Sequence, residues 1–274
     1  MACVISSISM KGGVGKTTSL LCLGAGLADR GKKVLMLDLD AQGSLSIAMG
    51  CEYPDRCPVA MAEIFQSIKD TQGSIEAERG ILSVSENLDY IPANRKMALV
   101  EQELSLTEEG ERLLLKILPV LSGCGKAYDY ILLDCPPSLG MVTMNALVAS
   151  DWVLIPTQTK YLAAKGREML LQTVVQIRRK WNGNLKILGI LPTMVNLHTL
   201  DAKQILKLLT DTYGESIGIL PVIPYSVRAK EISSQRKSIY RLDKGGKVAA
   251  AYLALVSEVL KKTETDAGAG GMAG

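Results

Sequence analysis

Two kinds of residue in this chain could act together on a polyphosphate: a glycine-rich, lysine-bearing loop and carboxylates at the ends of apolar runs. The loop is Met10-Lys11-Gly12-Gly13-Val14-Gly15-Lys16-Thr17-Thr18. Its glycines let consecutive backbone N–H groups turn inward around an anion without side-chain clash. A helical pattern follows from Thr17 to Asp29, and its positive N-terminal end would face the same anion. Lys16 would meet β/γ-phosphates as a point charge, and the Thr17 hydroxyl would ligate Mg²⁺. The strict pattern G-x-x-x-x-G-K-[ST] fails, because Met10 stands where the first glycine belongs and a second lysine, Lys11, lies inside the loop.

The carboxylates are Asp38 and Asp40, which close the run Val34–Asp40, and Asp134, which closes Tyr128–Asp134. Asp134 fits the acidic residue that holds the water shell of a metal. Asp38 and Asp40 are candidates for Mg²⁺ and for positioning an attacking water. Alternate residues of a strand share a face, so both are expected to point toward the loop.

These groups need a scaffold that brings strand ends together. Strand patterns fall at 2–8, 34–40, 81–85, 88–91, 128–134, 152–155, 185–191 and 217–222. Helical patterns fall at 17–29, 59–69, 97–118 (stopping near Pro119), 139–149, 163–181, 199–213 and 244–262. Such alternation predicts an α/β fold: a three-layer, mostly parallel twisted sheet with helices on both faces. Ligands of such sheets lie at the carboxyl ends of the strands, where all three groups fall. One domain over 1–262 is expected, with a disordered Gly/Ala-rich tail at 263–274. Gly24-Ala25-Gly26 reads as close packing within the first helix.

Composition narrows the function classes. At 274 residues with 47% hydrophobic content the chain can bury a sizeable core. Scarce aromatics (Trp 2, Phe 1) argue against a single-strand binder that stacks bases. Six cysteines with no C-x-x-C, and no signal peptide ahead of them, predict reduced thiols. A lone histidine, His198, excludes a histidine metal cluster or a Ser–His triad. No run is long enough for a transmembrane helix. The net charge of +3 divides into −5 over residues 1–150 and +8 over 151–274. Within the basic half, Arg228, Lys230, Arg236 and Lys237 are concentrated enough to form a phosphate-backbone patch for DNA.

The segments KGGVGKTT, DLDAQGSLS (38–46) and ILLDCPPSLG (131–140) together resemble the nucleotide-site boxes of the deviant-Walker ATPases, MinD and ParA among them. Within that group the chain is most similar to ParA/Soj partition ATPases. The likeness continues through Asn145-Ala-Leu, Val153–Gln158 and Ile223–Arg228, covering about residues 2–262. It implies a fold of P-loop NTPase (deviant Walker) type and an ATPase, weak unless stimulated, with ATP and Mg²⁺ as cofactors. It also implies that residues 11–18 cradle the nucleotide and that Lys11 reaches the partner's phosphates across an ATP-bound homodimer. Asp40 would position or activate the water, Asp38 and Asp134 would support the metal, and Pro224 would lie near the adenine. Arg228 matches an arginine used for sequence-independent DNA binding.

The partners so implied are a second copy, non-specific DNA, and a ParB-type centromere-binding activator, in a cytoplasmic, nucleoid-associated cycle that partitions plasmids or chromosomes. Ala41 stands where the family usually has proline, and Glu231–Lys237 departs from its usual Glu-Ala-Pro-Ser. A positioning ATPase for a protein cargo would share the same nucleotide chemistry. A MinD-like membrane switch would need a bulky amphipathic C-terminal helix. The chain ends Lys261-Lys-Thr-Glu-Thr-Asp and then glycines and alanines, so no stable membrane binding is expected. With Lys11 so near the start, no operator-binding domain is expected ahead of the loop.

Overall fold

A computed structural model describes residues 2–69, 77–124, 126–159, 164–227, 229 and 238–270. Its strands are β1 (Cys3–Ser7), β2 (Val34–Asp38), β3 (Leu82–Ser85), β4 (Leu88–Ile91), β5 (Tyr130–Asp134), β6 (Trp152–Gln158) and β7 (Lys186–Thr193). They form one sheet in the order β3-β4-β2-β5-β1-β6-β7, parallel except for the β3–β4 hairpin. The helices are α1 (Lys16–Ala28), α2 (Ser44–Ala48), α3 (Met61–Lys69), α4 (Ala77–Gly80), α5 (Met97–Leu106), α6 (Leu113–Gly123), α7 (Met141–Val148), α8 (Ala164–Lys180), α9 (Leu200–Tyr213), α10 (Ile239–Leu242) and α11 (Lys247–Gly270).

The central strands are buried on both faces, as near-continuous apolar runs require. Successive residues feed opposite cores: Leu35, Leu37, Ile131 and Leu133 pack with α3 and α5–α8, whereas Val34, Met36, Tyr130 and Leu132 pack with α1, α2, α10 and α11. This is the expected three-layer, mostly parallel arrangement. The close-packing glycines also behave as the sequence suggests. A Cβ on Gly24 would lie 2.8 Å from Met36 Sδ, and one on Gly26 would lie 2.6 Å from the Tyr240 hydroxyl and from Val256.

Three elements differ from the periodicity. The helix expected over 97–118 is two, α5 and α6, broken by a 3₁₀ turn at Gly110–Arg112. Glu109 takes a left-handed φ of 53°, and a Cβ on Gly110 would lie 2.1 Å from the Leu104 carbonyl oxygen. Buried Asn145 of α7 clamps this break: Nδ2 donates to the Gly110 carbonyl at 2.6 Å, and Oδ1 accepts the Leu114 N–H at 2.9 Å. Pro119, expected to end the helix, lies inside α6. Leu115, whose carbonyl its missing N–H would have met, is on the exposed side.

The strand expected at 217–222 is reduced to one isolated bridge, Ile190↔Ile219. Gly218 sits at φ 89°, and Pro221 has no N–H for the ladder. The last helix does not stop at 262 but continues through Gly270. The start of this extension is docked: Thr263 is buried and shares a 2.8 Å hydrogen bond with the Tyr130 hydroxyl. Lys32 pairs with Glu264 at 3.0 Å, and Lys186 pairs with Asp266.

Candidate functional site

The sheet brings the predicted groups to one edge. β5 lies between β1 and β2, pairing Ser7 with Asp134 on one side and Asp38 with Asp134 on the other. The loop leaving β1 therefore rises directly over the two strand-end carboxylates. Gly13 and Gly15 adopt left-handed φ values of 73° and 80°, which bend the chain into the start of α1 with Gly15 as its N-cap. No side chain caps that terminus, so its first N–H groups remain available to an anion. A Cβ built on Gly12 or Gly13 would meet nothing within 4 Å, so the space over the loop is open.

The loop is fixed from the far side of the sheet. Gln158 Nε2 donates to the Gly13 carbonyl at 2.8 Å, and Thr193 Oγ1 donates to the Val14 carbonyl at 2.7 Å. Val14 is buried as the loop's anchor. Neither Gln158 nor Thr193 was assigned a role from sequence; Gln158 lies in a segment that carried the resemblance, and Thr193 has no local signal.

The two loop lysines have opposite environments. Lys16 is 7% exposed, and its Nζ donates to Asp134 Oδ1 at 3.1 Å. Burial opposes its charge, but Asp134 outweighs it together with its other neighbours and the Lys16 pKa is raised. Thr17 Oγ1 donates to Asp134 Oδ2 at 2.7 Å, so one carboxylate holds both loop residues. Burial pushes the Asp134 carboxyl upward while Lys16 pulls it back. Lys11, by contrast, is exposed, and among the described residues it makes no ion pair.

β2 ends at Asp38, yet the expected alternation carries one step further: Leu39 packs with Leu35 and Leu37, while Asp38 neighbours Asp134 and Asp40 neighbours both Asp134 and Lys16, on the loop side. Asp38 is fully buried. Its Oδ1 accepts the Asp40 N–H at 3.1 Å, and its Oδ2 accepts the N–H and the hydroxyl of Ser46 at 2.8 and 2.6 Å. Ser46 Oγ in turn accepts the Ala93 N–H at 2.9 Å. Both Asp38 oxygens accept hydrogen bonds, and those from Asp40 and Ser46 shape the Asp40 turn. Asp40 is half-buried, with its Oδ1 accepting the Gln42 N–H at 3.0 Å.

Burial, with the charge of Asp134 behind it, raises the Asp38 pKa to about 7. The folded state thus holds a proton that the unfolded chain has released, over the window from about pH 4, the ordinary carboxylate value, to about 7. Stability of the nucleotide-free protein should fall as pH rises through that window. Urea unfolding at pH 5 and pH 8 measures this, and Asp38→Asn should flatten the dependence.

Beside the loop a small cleft is lined by Gly15, Thr18, Thr193, Met194, Pro224 and Tyr252, among others. Met194 holds an uncommon left-handed φ of 52°, bringing its side chain to the loop; a Cβ on Gly15 would lie 3.4 Å from Met194 Cε. The bridge Val195↔Pro224 places Pro224 on the cleft wall. Across the site, Glu101 of α5 caps α7, accepting the N–H groups of Met141 and Val142 and so tying down the segment after Asp134. This long-range cap was not visible in the sequence. The DNA-patch residues Arg228, Lys230, Arg236 and Lys237 lie outside the described residues.

The donor set tests the fit of the expected cofactors. Thr17, Asp40 and Asp134 offer only oxygen, which suits a hard cation such as Mg²⁺. Among the described residues no group of three or more His, Cys, Asp or Glu could hold a metal, so most of its ligands would be phosphate and water. The open loop, the uncapped helix end and the apolar cleft beside them fit a nucleoside triphosphate.

Comparison with known proteins agrees with this geometry. The AAA_31 family, described as an AAA domain, matches residues 2–187. The sporulation initiation inhibitor protein Soj of Bacillus subtilis is 38% identical over 261 residues, covering 94% of this chain and 98% of Soj. The chromosome partitioning protein ParA of Caulobacter vibrioides is 32% identical over 259 residues, 94% of each. A crystal structure of cobyrinic acid a,c-diamide synthase from Mycobacterium smegmatis, with bound ADP and magnesium, superposes with a TM-score of 0.82 at 31% identity, covering 97% of both chains. The chain belongs to the AAA_31 family and, within it, to the Soj/ParA partition ATPases.

Proposed function

We propose that this protein is an ATP-dependent dimerising switch that hydrolyses ATP slowly, binds DNA without sequence preference, and drives plasmid or chromosome partition in the cytoplasm, on the nucleoid. The chain is an ATPase, and ATP and Mg²⁺ are its cofactors. The observation that carries the switch reading is the contrast between Lys16, buried against Asp134, and Lys11, exposed on the same loop. One lysine serves its own site, and the other is free to serve a second copy.

On this reading the loop N–H groups of residues 12–18 bind the phosphates, and Lys16 exchanges Asp134 for the β/γ-phosphates. Pro224 and the cleft beside it receive the adenine. Asp134 and Thr17 would hold Mg²⁺, which neutralises charge on the phosphate oxygens when bound. Asp40, oriented by Asp38, positions the attacking water. Lys11 inserts beside the partner's phosphates, so the dimer lasts while the γ-phosphate does. Arg228, Lys230, Arg236 and Lys237 contact the DNA backbone, and a ParB-type activator stimulates hydrolysis and release.

Gel filtration with ATP and Mg²⁺ tests the core of this reading: the wild-type protein should elute as a dimer and Lys11→Ala as a monomer. A monomer in every nucleotide state would overturn it. Filter binding of random duplex DNA tests the other half. Affinity should fall steeply between 50 and 200 mM salt, and each lysine or arginine removed from the patch should lower the log–log salt slope by about 0.9.

A further inference from the structure

The loop joining α2 to α3 carries two cysteines that the sequence gives no reason to pair, since they are separated by five residues. The fold brings Cys51 Sγ and Cys57 Sγ to 3.0 Å of each other, both half-buried and both reduced. The intervening turn, Pro54–Arg56, is a 3₁₀ helix closed by the Arg56 N–H on the Tyr53 carbonyl and the Cys57 N–H on the Pro54 carbonyl. It therefore presents the two side chains toward each other by its own backbone geometry. Among the cysteines of the described residues, no other pair is in contact.

This turn abuts the nucleotide site. The Cys51 N–H donates to the carbonyl of Ser46, the residue that holds Asp38. Gly43, whose N–H closes the Asp40 turn on the Asp40 carbonyl at 2.9 Å, faces Pro54: a Cβ there would lie 3.4 Å from Pro54 Cγ. Closing the Cys51–Cys57 ring would hold Pro54 against Gly43 and stiffen the segment that carries Asp40.

The structure assigns Cys51 and Cys57 as a dithiol modification site, which a small-molecule disulfide such as oxidised glutathione converts to an intramolecular disulfide beside the Asp40 turn. One cysteine thiolate attacks a glutathione sulfur, forming a mixed disulfide and releasing one glutathione thiolate. The second cysteine thiolate then attacks the protein sulfur of that mixed disulfide, forming the Cys51–Cys57 bond and expelling the second glutathione thiolate. Two protein thiols lose their protons and two electrons, and one glutathione disulfide becomes two thiols. Burial, reinforced by Cys57, raises the Cys51 pKa to about 12. Thiolate is therefore scarce at neutral pH, and the exchange should quicken as pH rises.

Trypsin gives a direct test, because it cuts after Arg56, between the two cysteines. The full chain is incubated with oxidised glutathione at pH 8, free thiols are blocked with iodoacetamide, and the digest is read by mass spectrometry without reductant. The expected result is Val34–Arg56 joined to Cys57–Lys69 through one disulfide, and the link should be absent in Cys57→Ser. The bridge should also raise Tm by roughly 5 °C, reversed by dithiothreitol and absent in Cys57→Ser. Two separate peptides, each alkylated or each carrying glutathione, would overturn the assignment. Basal ATP turnover of reduced Cys57→Ser should match the wild type, showing that the variant is folded.

Discussion

Lys16→Ala should lower ATP turnover roughly 100- to 1,000-fold, the loss expected when a fixed charge aimed at the developing phosphate charge is removed. It should also destabilise the nucleotide-free protein. Asp134 is fully buried and would lose its cation, keeping only the Thr17 hydroxyl, and breaking a buried pair from one side costs about 3–5 kcal/mol. The sign of the pH dependence follows. Without Lys16 the folded-state pKa of Asp134 rises further above its unfolded value. The destabilisation should be largest at alkaline pH and shrink as acid protonates the carboxyl.

The double variant Lys16→Ala/Asp134→Asn separates the two effects. It removes the orphaned charge, so the urea midpoint should recover toward the wild type while phosphate release stays lost. Wild-type turnover in Lys16→Ala, or an unchanged urea midpoint at pH 8, would contradict the placement of this pair at the centre of the site.

Asp40→Ala should show the complementary pattern: phosphate release reduced about 100-fold or more, ATP retained, and the ATP dimer accumulating. Among the described residues the side chain makes one hydrogen bond, accepting the Gln42 N–H on an exposed turn, and it is not part of the buried Asp38–Ser46–Ala93 network. Its removal should therefore change stability by no more than about 1 kcal/mol. Asp40→Asn preserves an acceptor for Gln42 and, on the proposed role of its negative charge in orienting the water, should lose the same turnover. Single-turnover phosphate release together with gel filtration makes the measurement. A second substitution, Lys11→Ala, should dissolve the trapped dimer. If Asp40→Ala hydrolyses at the wild-type rate, the water-positioning role is wrong and another carboxylate must be sought.

Much of this site was legible in the chain because its parts are local. A glycine loop between a strand and a helix, and carboxylates closing apolar runs, fix their own positions at the end of a parallel strand. The same locality explains the limits of that reading. Spacing put Asp38 and Asp40 on one side, but it could not show that Ser46, eight residues on, closes over Asp38 while Asp40 stays half-buried. The continuous helix expected over 97–118 had the right apolar spacing, yet Gly110 and the Asn145 clamp break it.

The sequence by itself determined the sheet, the phosphate loop with its two lysines, and the three acidic positions, since period and spacing along one segment suffice for each. Only the tertiary structure decided what each group touches. Asp134 grips both Lys16 and Thr17 from more than a hundred residues away. Gln158 and Thr193 brace the loop from across β6 and β7, and Glu101 caps a helix 40 residues on. Cys51 and Cys57 meet through a short turn packed beside the Asp40 segment. These contacts depend on how layers pack, and packing joins segments whose order along the chain carries no trace of the pairing.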